Sequence, residues 1–286
     1  MRGGNAGGRQ GEVWQGPVHR DESFSSRIGL VTLPINRYST ATLDSFGLDN
    51  RETLTEKRLQ ALQLFCSRTG LPIPKGEWRF RSDLFPSRGM ASSTADIVAA
   101  LRCVADRYQY RLRSELVSSI LSDIERSDPV FLDTWALYLS GAQQTHRLFG
   151  SGLNLTVCFG FDKGNVHTRE YPEDRMLEYY EAHAAEYGRS LKRVVTALEA
   201  SDSTAMAAES TVSASLAQGY LPSTLVANLI EDFDGLGAAG VCRAHTGTLA
   251  GLLFAQRPTA SHLIELSNYY ESKGTTMIVC QGGSAW

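Results

Sequence analysis

The sequence predicts an α+β protein, and three stretches carry that prediction. Residues 28–43, IGLVTLPINRYSTATL, alternate and are rich in β-branched side chains, as strands are. Between 173 and 232 apolar residues recur at helical spacing, with Leu177, Tyr180, Tyr187, Leu191, Val194 and Leu198 on one stripe and Val212, Leu216 and Leu229 in later helices. The last stretch alternates strand and helix, from GVCR through SHLIELSNYY to TTMIVC. With 286 residues, 42% hydrophobic and 21% charged, the chain can bury a large core in one domain or two fused lobes.

Taken in order, the first sixteen residues carry six glycines, and Met1 to Ala6 read as a loose terminus. GEVWQG, at 11–16, is different, because it sets a carboxylate, an indole and an amide between glycines. Residues 28–43 predict two strands kinked at Pro34. Leu59, Leu62, Phe65 and Cys66 predict a helix that Gly70 and Pro72 stop. GEWRFRSDLF predicts a strand leading to Pro86, and Ile97, Leu101, Val104 and Tyr108 a helix with Ser92 or Ser93 as its N-cap. A further helix is expected from Leu112, Leu116, Ile120 and Ile124, ending at IERSDPVF. WALYL, HRLFG, LNLTVCFGF and VHTREY predict strands, with Asp162 to Asn165 as a hairpin turn. GVCRAHTGTLAGLLF predicts a strand, a loop over Ala244 to Thr248, and then a helix.

Composition excludes several function classes. A net charge of −3 and no local run of Lys and Arg give no footprint for nucleic acid. No apolar run reaches the roughly 18 to 20 residues of a membrane span, and the N-terminal residues lack a signal-peptide core, so the protein is expected to be cytoplasmic. The five cysteines have no C-x-x-C spacing and the six histidines no paired spacing, which argues against disulfides and transition-metal sites.

The most informative stretch is FPSRGMASSTADIVAALRCVA, from Phe85 to Ala105. Pro86 fixes φ, Gly89 can take positive φ, and Ala91, Ser92 and Ser93 are small enough for close approach. A loop of this kind feeding a helix N-terminus aims free N–H groups and the positive end of the macrodipole at one point, which favours phosphate. On residues alone it is either a capped turn or a phosphate loop. Its wording resembles the phosphate loop of the GHMP kinases, the superfamily of galactokinase, homoserine kinase and mevalonate kinase, whose form is P-x-x-x-G-L-G-S-S. Ala91 stands here in place of the second glycine. GMASSTAD is similar to one branch, the L-threonine kinases of cobalamin and propanediol metabolism.

Three further motifs extend this resemblance over nearly the whole chain. GEVWQG is similar to the branch's G-E-L-x-Q-G. The branch has a strand before that motif, expected here to be short or missing. IERSD is similar to I-E-P-T-D, with Arg126 and Ser127 in place of Pro-Thr, although on its own it reads as a solvated helix end. RAHTGTLAGLL is similar to A-H-S-G-T-x-x-G-L-L, although His245 alone reads more readily as a structural residue.

The resemblance implies a two-lobed GHMP kinase fold, with an N-terminal lobe like ribosomal protein S5 over 1–150 and a ferredoxin-like C-terminal lobe over 151–286. It implies ATP on Pro86, Ser87, Arg88, Gly89, Met90, Ala91, Ser92, Ser93 and Thr94. Mg²⁺ would lie on Ser92, Ser93 and Glu125, with Glu115 as a substitute carboxylate. Asp128 would accept the acceptor's hydroxyl proton or orient it. Glu12, Gln15, His245, Thr246, Gly247 and Thr248 would line the pocket of a small hydroxy amino acid, L-threonine first. Another hydroxy amino acid or amino alcohol, or a ligand sensor without activity, stays open, as does a homodimer.

Overall fold

The computed structural model describes residues 2–18, 28–51, 54–132, 134–150, 152–163, 173–245 and 247–283. In chain order the elements are β1 (Arg2–Pro17), β2 (Ile28–Asp44), α1 (Glu56–Thr69), β3 (Glu77–Ser82), α2 (Ser92–Arg107), α3 (Ser114–Ser122), β4 (Ala136–Leu139), β5 (Gln144–Leu148) and β6 (Leu155–Phe161). They continue with α4 (Glu173–Ala182), α5 (Ala184–Ala200), α6 (Ser203–Ala217), α7 (Thr224–Asp232), β7 (Gly240–Arg243), β8 (Leu249–Phe254), α8 (Ala260–Ser272) and β9 (Ile278–Gly282). The expected α+β class is what these elements form. The expected strand VHTREY and the end of the expected turn at Asn165 lie outside the described residues.

Among the described residues nine strands join in one antiparallel sheet of order β1-β7-β8-β6-β9-β2-β4-β5, with β3 also on β2 and β1 also on β2. Strands from both halves of the sequence therefore share one sheet. The expectation of a short or missing first strand is corrected, since β1 runs from Arg2 to Pro17 and contains the GEVWQG motif itself. Its glycines have a packing reason at Gly4, where a Cβ would lie 2.3 Å from the Cys103 nitrogen and 2.5 Å from the Ala99 carbonyl oxygen. β1 can cross the backbone of α2 only because that side chain is missing.

Helix α2 is the centre of the core. Ala95, Ile97, Val98, Ala99, Ala100, Leu101, Cys103 and Val104 are all fully buried, so the helix is apolar nearly all round and holds its place by packing. Each of its large side chains contributes roughly 1.5–3 kcal/mol by burial. α1 ends as expected, with Gly70 at φ 70° closing its C-terminus.

Four expectations fail for identifiable reasons. Pro34 does not divide its run into two strands, since β2 is continuous from Ile28 to Asp44. It lies where the far edge of β2 passes from its pairing with β4 at residues 29–31 to its pairing with β9 at Ile35, so the missing N–H costs little. Residues Leu249–Phe254 form strand β8 rather than a helix, because six consecutive buried residues pair with β6 on one edge and β7 on the other. An apolar run of that length does not distinguish strand from helix by periodicity. α3 stops at Ser122, so Leu112 and Ile124 lie outside it and Glu125 and Asp128 stand on the loop beyond. Ser92 and Ser93 are not N-caps, since Ala91 occupies that position at φ 51° and ψ 34°, without a side-chain cap.

Candidate active site

The loop from Pro86 to Ala91 has positive φ at every second residue, 58° at Ser87, 90° at Gly89 and 51° at Ala91. Two of these are not glycine, a conformation that costs energy and concentrates at functional sites. Backbone that alternates in this way gathers successive N–H groups into an anion-binding concavity. With no side chain capping α2, the first N–H groups of that helix are also left for a ligand. Ala91 does what a second glycine would do, taking the left-handed conformation at some cost in strain.

Gly89 is held from behind. A Cβ there would lie 2.3 Å from the Ala244 Cβ, and one at Gly247 would lie 2.5 Å from the Gly89 nitrogen and 2.6 Å from the Arg88 carbonyl. Two motifs separated by more than 150 residues thus meet backbone to backbone, and only glycines permit it. The guanidinium of Arg88 strengthens the contact, donating to the Thr248 hydroxyl at 3.3 Å and lying 5.3 Å from the Phe161 ring centroid. Pro86 and Ser87 are exposed, and Met90 is buried beneath the turn.

At the start of α2 the Glu125 carboxylate receives the Thr94 hydroxyl at 3.1 Å and the Ser93 hydroxyl at 3.5 Å, and pairs with Lys57 of α1. Ser92 begins the helix one residue earlier. These are hard oxygen donors suited to Mg²⁺, which is usually bound by one or two protein oxygens, phosphates and water. Among the described residues no group of three or more His, Cys, Asp and Glu side chains converges, so a softer metal has no ligand set. Glu115, the substitute carboxylate, sits exposed in the first turn of α3, at the far end of that helix from Glu125.

The Glu125 loop is braced by Gln143, which donates to the Glu125 carbonyl at 2.8 Å and accepts from Ser127 at 2.7 Å and Tyr138 at 2.8 Å. Gln143→Ala removes all three and is expected to lower stability by about 1–3 kcal/mol and turnover with it. Thermal melts and steady-state rates measured together check this. Asp128 is half-buried on the same loop and within electrostatic reach of Tyr138, whose hydroxyl is pushed up chiefly by burial.

The remaining predicted residues lie on β1 and the β7–β8 loop. β1 shifts register on both sides of Glu12, which is also where it touches β7 opposite Arg243. Bulges of this sort re-aim side chains beside active sites. The buried Glu12 carboxylate accepts from the His245 backbone N–H at 2.8 Å and meets its Nδ1 at 3.1 Å. Burial pushes the His245 imidazole below its ordinary range, against the opposite pull of Glu12. Gln15 donates its amide to Tyr180 at 2.7 Å, and burial pushes that phenol up to about 12. Tyr180 is within electrostatic reach of both Glu12 and Arg126. Gly247 and Thr248 are buried beside His245, and Thr246 lies outside the described residues.

Three clusters therefore form: Gly89 with Arg88, Gly247 and Thr248; Glu125 with Ser93 and Thr94; and Glu12 with His245. Sequence reading missed Lys57 and Gln143. Lys57 had a signal, since a cation in the first turn of a helix opposes the macrodipole and calls for a partner. Gln143 had none. A groove of about 340 Å³ between α2 and α3, lined by Arg102, Asp106, Tyr110 and Phe131 among others, shares no residue with these clusters.

Residues 56–141 match the family model described as the GHMP kinases N terminal domain. No curated protein matches the chain. Among solved structures, the mevalonate kinase of Methanococcus jannaschii superposes with a TM-score of 0.74 at 11% identity, covering 98% of each chain. The Streptococcus pneumoniae phosphomevalonate kinase, in complex with phosphomevalonate and AMPPNP, gives 0.68 at 14% identity, over 99% of this chain and 100% of that one. The homoserine kinase of Cytophaga hutchinsonii gives 0.66 at 10% identity, over 99% and 95%. The chain has the GHMP kinase fold over its length, and residues 56–141 match the model of that family's N-terminal domain.

Proposed function

We propose that this protein is an ATP-dependent kinase that phosphorylates the side-chain hydroxyl of a small hydroxy amino acid, L-threonine first. The observation that carries the reading is the strained Ser87–Ala91 loop, set at an uncapped helix N-terminus with the Glu125, Ser93 and Thr94 oxygens beside it. ATP's phosphates would lie on that loop and on the first N–H groups of α2. Mg²⁺ held by Ser92, Ser93 and Glu125 would neutralise charge on the β- and γ-phosphates. Phosphoryl transfer of this kind depends mainly on positioning and charge neutralisation.

The acceptor would lie between β1, the Glu125–Asp128 loop and the β7–β8 loop. Glu12 suits an ammonium group, Gln15 and Tyr180 offer neutral polar atoms, and Asp128 orients the acceptor. The choice of threonine rests on the wording of the motifs around Glu12, Gly89, Glu125 and His245. The phosphomevalonate kinase structure that holds AMPPNP has this fold and supports ATP as the donor.

A panel of alcohols tests the reading. L-Threonine should stimulate ATP consumption and yield a phosphomonoester seen by phosphorus NMR. L-Serine, one methyl smaller, should turn over about 10- to 200-fold more slowly, as a lost methyl in an apolar pocket is worth roughly 1–3 kcal/mol. Valine should never react. Turnover of a different alcohol with threonine silent replaces the acceptor and keeps the kinase, whereas silence across the panel with ATP bound favours a sensor.

A further inference from the structure

The arrangement above leaves one buried atom unused. The Glu12 carboxylate accepts hydrogen bonds, so in the neutral ring that burial favours the proton lies on Nδ1 and Nε2 carries a lone pair. That Nε2 is buried and has no hydrogen-bond partner among the described residues. His245 is only 1% exposed, and unpaired polar atoms in such places are few and usually have a functional reason. The atom lies on the far side of the ring from Glu12. Its loop is the one that packs on the phosphate loop, two residues before Gly247 meets Gly89. A lone pair repels phosphate and carboxylate and calls for a donor, such as an alcohol O–H.

We propose that His245 Nε2 accepts the hydrogen bond of the acceptor's hydroxyl and takes its proton during phosphoryl transfer, with Glu12 as the positioning residue that fixes the tautomer. The assignment rests on the kinase reading. The hydroxyl oxygen forms the new bond to the γ-phosphorus, and the bond from that phosphorus to the bridging oxygen breaks as ADP leaves. The proton moves to Nε2, where Glu12 balances the imidazolium charge, and passes to water after product release. The charged groups acting on the ring are Glu12 of β1 and Arg243 of β7, and the Arg243 guanidinium is tied to Gln218 at 3.0 Å and to the Leu221 carbonyl at 2.8 Å. Burial favours the neutral ring, which is the form that can receive a proton.

His245→Gln keeps an acceptor atom but cannot take the proton. It is expected to lower kcat by about 10²- to 10⁴-fold with the acceptor of the wild-type enzyme. ATP affinity by calorimetry should stay within about twofold, because the nucleotide is held elsewhere, and the acid limb of kcat/KM against pH should vanish. A kcat within about threefold of wild type, or an unchanged pH profile, overturns the assignment. Should the variant not fold, nitrogen NMR of the wild-type protein with labelled imidazoles decides. Nε2 should resonate as an unprotonated nitrogen and shift when the acceptor alcohol and a nonhydrolysable ATP analogue are added together. A protonated Nε2, or one that ignores the alcohol because it holds a buried water, refutes the assignment. Phosphorylation with an unimpaired His245→Gln sinks this inference alone, whereas a chain that phosphorylates no alcohol sinks the kinase reading with it.

Discussion

Glu125→Ala is expected to lose about 10²-fold or more in turnover while remaining folded, the loss that follows removal of a preorganised charge from a transition state. The fold has little to lose there. Its ion pair joins a carboxylate with 16% of its side-chain surface exposed to a lysine with 50% exposed, and pairs of that sort contribute at most about 1 kcal/mol. The proposed metal role has more at stake, because Glu125 is the carboxylate that gathers the Ser93 and Thr94 hydroxyls at the start of α2. Magnesium titrations of kcat, with a thermal melt as control, check both halves of the expectation. Near-normal activity with an unchanged metal requirement would remove Glu125 from the metal site.

Gly247→Val should cost at least tenfold in ATP affinity and several degrees in melting temperature. A Cβ at that position falls 2.5 Å from a backbone nitrogen and 2.6 Å from a backbone carbonyl, so no flexible side chain can yield to it. Overpacking of this kind costs typically about 1–3 kcal/mol, or roughly 2–4 °C per kcal/mol in a chain of this size. The displaced atoms belong to Arg88 and Gly89, so the strain enters the Pro86–Ala91 loop, on which the proposed function lays the phosphates, directly. Gly150→Ala, where nothing lies within 4 Å, should change neither quantity and serves as control. Calorimetry showing unaltered nucleotide affinity in Gly247→Val would place ATP elsewhere.

The parts of this site that were legible in the sequence are the local ones. Gly70 stops α1, and Pro86, Gly89 and the small residues after it announce a turn feeding a helix, because turn and helix signals act over a few residues. Where signals compete, the reading fails. LAGLLF satisfies a buried strand and a helix equally, and the two ladders on either side of β8 decide between them. Glu125 was expected on a helix because Ile124 continues the spacing of Leu116 and Ile120, yet the helix ends at Ser122. The long-range pairs had no local signal that named the partner. Nothing near Glu12 specifies His245, and nothing near Lys57 specifies Glu125. Only resemblance to a family placed Glu12 and His245 in one pocket, and it did not foresee that they would bond to each other.

The pairing of β1 with β7 also bears on how the molecule comes into being. Glu12 lies opposite Arg243, so β1 finds one of its two neighbours only after more than 220 further residues have emerged from the ribosome. Contacts between such distant segments are paid for in loop-closure entropy before they return anything, and folds that depend on them form slowly. β2 can hold β1 in the meantime, since the two pair along most of their length. Until Arg243 arrives, however, the carboxylate has no histidine and the phosphate loop has no Gly247 behind it. A nascent or truncated chain that stops before Gly240 could thus carry the whole of the GMASSTAD stretch and still lack the Glu12–His245 and Gly89–Gly247 contacts, so that assembly of the candidate site is a late step of synthesis.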